Sequence, residues 1–124
     1  MKTIIKTPRS FVLYSYKFSH GLLLFRSRKP LDNGTRMDIL FQDVRSMDIR
    51  SWFDGIEIIE TNIDFIKQFP SNPKTTIEPG NKIYALYGAD WLGYIVAGIV
   101  SIGEDDKDFN EKSRLLEEEP WESP

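Results

Sequence analysis

The chain has 124 residues, 40% of them hydrophobic, a net charge of −3 and no cysteine. That length allows one domain with one core and excludes two. The missing thiols exclude disulfides, zinc-thiolate sites, iron–sulfur clusters and cysteine nucleophiles, and fit a reducing, cytoplasmic setting.

The N-terminus sets Lys2 and Lys6 around only Ile4 and Ile5, too short an apolar run for a secretory signal. Phe11 to Lys17 is aromatic and β-branched, and the two-residue period of a strand predicts one shared face for Val12, Tyr14, Tyr16 and Phe18. Ser19-His20-Gly21 supplies a turn, Leu22 to Arg28 a second strand, and Lys29 to Thr35, with Pro30 and Asn33-Gly34, a loop. From Arg36 to Asp43 the alternation is clean, with Met37, Ile39 and Phe41 against Asp38, Leu40 and Gln42. Val44 to Phe53 continues after a bulge, and Asp54-Gly55 predicts a tight hairpin with Ile56 to Thr61 as the return strand. Asn62 is placed to cap a helical turn carrying Ile63, Ile66 and Phe69, which Pro70 ends. Lys82 to Tyr87 and Tyr94 to Ile102 read as the last two strands, the second a central one, with close packing or a bulge at Gly98. Trp91 to Ile102, the longest weakly polar stretch, falls short of the roughly 20 residues that span a bilayer. In the tail, Asp108-Phe109-Asn110-Glu111 has capping-box spacing, with Phe109, Leu115 and Leu116 on one side of a short helix.

The predicted architecture is mainly β: an antiparallel β-sandwich or strongly curved sheet of about seven strands, with a closed barrel as runner-up and room for one short C-terminal helix. Residues 1–102 form the β domain and 103–124 an acidic tail or short docked helix. Charge is divided along the chain as well. Residues 1–50 carry ten Lys or Arg against four Asp, whereas residues 51–124 carry six against fifteen acids, nine of them after Ile102. Two such halves attract, within one molecule or between the copies of a dimer.

Catalytic signatures are missing from the sequence. His20 is the sole histidine and lies in a turn, and no Gly-x-Ser-x-Gly elbow, phosphate-binding glycine loop or zinc pattern occurs. Asp106, Asp108, Asn110 and Glu117 match the spacing of a calcium loop, but Glu111 stands where that loop needs glycine, and a capped helix uses the same residues more simply. No catalytic residue, metal or cofactor is therefore assigned. Arg26, Arg28, Lys29, Arg36, Arg45 and Arg50, with Tyr14 and Tyr16, form a basic and aromatic set, but the sequence pI near 5.2 argues against a nucleic-acid partner. The candidate binding residues are Trp52, Trp91, Tyr84, Tyr87, Tyr94 and Trp121, aromatic side chains of the kind that line pockets and anchor interfaces.

Two blocks carry a resemblance. Met37-Asp38-Ile39-Leu40-Phe41-Gln42-Asp43-Val44 is one; Ile83-Tyr84-Ala85-Leu86-Tyr87, Gly93-Tyr94-Ile95-Val96-Ala97 and Val100-Ser101-Ile102 are the other. These strand patterns resemble small uncharacterised bacterial β-proteins, some predicted to be immunity proteins of polymorphic toxin systems. The resemblance implies no catalytic residues, and a small acidic binder that occupies a toxin's active site. The expectation is a non-enzymatic binding or interaction protein, its partner another protein or a second copy, with no nucleic acid or membrane involved. The alternative is a small-molecule-binding β domain, or minor enzyme, with an aromatic-lined pocket.

Overall fold

Sixteen residues, Lys2–Lys17, form one long strand, β1, in a computed structural model that describes residues 1–28, 34–73, 77–113 and 115. Its first half is strand despite Pro8, because the ladder to its neighbour slips between Thr7 and Ser10 and asks no N–H of the proline. A 3-10 turn at Phe18–His20 leads into β2, Leu22–Ser27, followed by β3, Arg36–Gln42, and a three-residue β4, Ser46–Asp48. Then come β5, Trp52–Thr61, one helical turn α1, Ile63–Ile66, and the strands β6, Lys82–Tyr87, β7, Leu92–Ala97, and β8, Ile99–Asp105. Asn62 caps α1 as expected, accepting a hydrogen bond from the Asp64 N–H. Among the described residues no helix is long and apolar enough to cross a membrane.

All pairings are antiparallel, and the eight strands form a single sheet in the order β4-β7-β6-β5-β1-β2-β3-β8. The sheet is strongly curved but not closed into a barrel. Its two ends still approach one another, because β4 continues the chain of β3 and β8 continues that of β7. The Gly98 N–H donates to the Gln42 carbonyl (2.9 Å) and the Arg45 N–H to the Val96 carbonyl (2.8 Å), carrying the contact across the break. A side chain at Gly98 would press on Asp43, whose Cβ lies 3.1 Å from the position a Cβ would take, so glycine permits the approach.

Curvature gives the sheet an inside. Phe11, Leu23, Phe25, Ile39, Phe41, Phe53, Ile58, Tyr84, Leu86 and Ile95 fill it, with Phe25 edge-on to Phe41 and Phe53. The outside is covered in two places. Ile66 of α1, with Phe65, Phe69 and Ile77, packs over Ile83, Tyr94 and Val96. Leu115 of the tail packs over Leu22, Leu24 and Leu40.

Several sequence expectations are corrected here. Asp54-Gly55 does not turn the chain; β5 runs straight through it. Gly55 takes a left-handed φ of 75° at the place where Pro8 and Arg9 bulge from β1, so the dipeptide serves a bulge instead of a hairpin. Val12 and Tyr16 do not share a face. The β1–β2 register slips between Leu13 and Ser15, leaving Val12 opposite Arg26 on the outside and Tyr16 opposite Leu23, whose side chain lies in the inner core. The last predicted strand is two: β7, which is internal, and β8, which is an edge and extends to Asp105.

Candidate functional site

The basic first half and the acidic tail meet on the outer face of β2, β3 and β8, within one chain. Arg26 of β2 and Arg36 of β3 are both buried there. Arg26 grips Asp38 with Nε and Nη2 at 2.8 and 3.2 Å; Arg36 grips Asp105 at 3.0 and 2.9 Å. Such forked pairs fix the guanidinium planes. The remaining donors point outward at the tail backbone. Arg26 Nη1 donates to the carbonyls of Phe109 and Glu111, Arg36 Nη1 to those of Asp108 and Glu111, and Arg36 Nη2 to that of Lys112. Both arginines thus meet on the Glu111 oxygen, at 2.9 and 2.7 Å.

This arrangement explains the tail. The Asp108 N–H donates to Glu111 Oε1, as the capping spacing predicts, but only a turn follows over 109–113, since the arginines take carbonyls that a helix would need. Leu116 lies outside the described residues.

Burial pushes the Asp105 carboxyl up, but the Arg36 hydrogen bond, the Lys107 N–H and the nearby positive charges outweigh it and hold it below the ordinary aspartate value. A lowered folded-state value means stability that is full above the unfolded pKa and lost as pH falls through the folded one. The melting temperature is therefore expected to fall below about pH 4, and to fall less steeply in Asp105→Asn. An acid limb unchanged by that substitution would show that Asp105 does not carry it.

Beside the tail lies an open groove of about 400 Å³. Its walls are Pro8 to Val12 of β1, Trp52 to Asp54 of β5, and Arg26 with Arg28 at the end of β2. The bulged residues Pro8 and Arg9 line the groove just before β1 begins to pair with β2 at Phe11. Trp52 stands opposite Val12 on the outer face and is 62% exposed. The Arg28 guanidinium lies 4.2 Å from the centre of the Phe109 ring, which meets Tyr14 edge-on. Among the described residues no carboxylate forms an ion pair with Arg28, whereas Arg9 binds Glu104 and the Thr35 carbonyl, and Asp54 accepts from the Ser10 hydroxyl. Among the described residues, the open rim is thus an indole beside a guanidinium with no carboxylate partner.

The other aromatic candidates are dispersed. Tyr84 is buried in the inner core, where burial, then the Glu60 charge, pushes its hydroxyl pKa up. Tyr94 is buried under α1, its hydroxyl donating to the Ser71 carbonyl at 2.9 Å and bonded to Ser46 at 3.0 Å. Trp91 closes the core end against Phe53, its indole laid over Gly88 so closely that a Cβ there would meet Nε1 at 1.8 Å. Tyr87 packs on Phe65 and lines a second hollow that shares Pro8 and Asp54 with the groove. Trp121 lies outside the described residues. No common pocket unites the described aromatics, because alternate residues of β6 and β7 are committed to the inner core and to the α1 patch. Arg28, Ser10 and Pro8 are groove residues missed by a search for aromatics; the proline inside a β-rich run was the available signal.

Most of the arginines read as a basic set are buried or paired, although Arg26, Arg28 and Arg36 lie together with Tyr14. Arg26 and Arg36 are buried, Arg45 pairs with Asp43 and Glu78, and Arg50 with Asp90; Lys29 lies outside the described residues. Ser19 Oγ and His20 Nδ1 lie 2.9 Å apart on an exposed turn. Among the described residues no three His, Asp or Glu side chains converge on a cation position; Glu117 lies outside them.

The fold makes this an all-β, single-sheet antiparallel protein. No protein-family model matches the chain, and no curated protein or solved structure matches it.

Proposed function

We propose that this is a non-enzymatic binding protein whose partner surface is the Trp52–Arg28 groove. The observation that carries the reading is Trp52 itself, 62% exposed at the start of β5, where the backbone is paired to Val12 of β1. A large ring held rigidly outside the core has little use in folding, and Trp and Arg are the commonest anchors of protein interfaces. The partner is a protein presenting a carboxylate to Arg28 and an apolar side chain to Trp52. An immunity-like role in a bacterial cytoplasm, with a toxin as that partner, is the specific form suggested by the strand patterns.

Capture from the host lysate with the intact protein, in parallel with Trp52→Ala and Arg28→Glu, tests this. A protein retained by the wild type is expected to be lost from both variants while their melting temperatures stay unchanged. A partner held equally by all three places the binding surface elsewhere. Small molecules that raise the melting temperature of the wild type but not of Trp52→Ala would favour the alternative, a ligand-binding β domain, for which the groove volume is sufficient.

A further inference from the structure

We propose that β8 is a self-pairing edge, through which two copies of the chain join their sheets across a twofold axis. It stands apart from the groove and does not depend on it. Ile99 to Asp105 pairs with β3 on one side, and among the described residues makes no other backbone hydrogen bond. On its opposite side, alternate residues of this seven-residue strand present N–H and C=O groups with no partner among the described residues, the template on which another strand adds.

Two other open sides are blunted. β4 is three residues long. The first half of β1, which pairs only with β5, carries Lys2, Lys6 and Pro8. Lysine and proline at such positions oppose pairing. β8, reading Ile-Val-Ser-Ile-Gly-Glu-Asp, has neither, and it leaves Ile99 53% and Ile102 37% exposed.

The occupant follows from the length and charge of the free edge. Ala97 is already paired to Lys82 of β6, so an added strand has room only beyond Gly98. A second β8 laid antiparallel over the whole free length brings Ile102 opposite Ile102 of the other copy. Ser101 then meets Gly103, Val100 meets the aliphatic stem of Glu104, and Ile99 meets Asp105. Asp106 then falls opposite Gly98 of the other copy, next to Lys82 of its β6, while Glu104 and Asp105 keep their Arg9 and Arg36 partners, and the two acidic ends point away from one another. Each contact recurs by symmetry, as an isologous interface requires. A seven-residue edge buries less than the roughly 1,200 Å² of a standard interface, so the dimer is weak, concentration-dependent and loosened by salt.

Sedimentation equilibrium over a wide concentration range tests the proposal. The wild type is expected to pass from monomer to dimer. Ile102→Lys sets two like charges face to face on the axis and is expected to abolish the dimer. Ile99→Lys sets a lysine opposite Asp105 and is expected to keep or tighten it. Loss of association in both variants would point to apolar stickiness and overturn the register, and a wild type that stays monomeric at every concentration would overturn the proposal. Should Ile102→Lys fail to fold, amide exchange of the wild type decides: protection across 99–105 is expected to rise with concentration, and unchanged protection would refute strand pairing. Trp52→Ala, outside this edge, should leave the dimer intact.

Discussion

Replacing Arg26 with alanine is expected to lower the stability of the protein by about 3–5 kcal/mol, the loss typical when one partner of a buried ion pair is removed. Asp38 stays behind, its side chain only 3% exposed, with both of its guanidinium bonds gone. The Phe109 carbonyl loses its Arg26 donor, and the Glu111 carbonyl keeps only Arg36. Stacking of the guanidinium over Tyr14 at 4.1 Å goes as well. Arg28→Ala, two residues on, is the control. Arg28 is exposed and stacks on Phe109, so about 0.5–1 kcal/mol is at stake there. Urea unfolding at neutral pH measures both. A loss at Arg26 no larger than at Arg28 would mean that the buried pair is not what fastens the tail to the sheet.

Phe25→Ala is expected to cost a similar amount, about 3–5 kcal/mol, for a different reason. Phe25 sits fully buried at the centre of the inner core, 5.3 Å from the Phe53 ring and 6.5 Å from that of Phe41. Those rings come from β2, β5 and β3, which β1 and the sheet's curvature hold around one point. Neighbours anchored in two other strands cannot both move in to fill the space, so a cavity remains. Trp52→Ala removes a larger ring, yet a mostly exposed one, and is expected to stay within about 0.5 kcal/mol of the wild type. Equal losses at the two positions would show that Trp52 serves the fold and would remove the argument for its groove. Thermal or urea unfolding of the two variants side by side gives the comparison.

Local pattern was enough for much of the β architecture. Alternation in Arg36 to Gln42 sorted the residues of β3 correctly into two faces, because a side chain's face on a strand depends only on position and period, but it pointed to a half-buried strand where both faces are covered. Asn62 announced its helical turn, and the run 82–87 its strand, since caps and apolar runs act over a few residues. The absence of cysteine and the division of charge were likewise complete in the sequence.

Pairing across the chain decided the rest. Asp54-Gly55 has the composition of a hairpin, and only the bulge at Pro8 on the facing strand turns its positive φ to another use. Whether an aromatic residue is core or surface depends on the register of its neighbour: one slip near Tyr14 set Tyr16 opposite Leu23, and Trp52 stayed outside while the adjacent Phe53 went in. Arg26 and Arg36 look in sequence like members of a basic surface. They are buried because the fold brings Asp38, Asp105 and the tail carbonyls to them from as many as 85 residues away. Partners so distant leave no trace in a local window, because burying a charge depends on what closes over it, and here that is the end of the same chain.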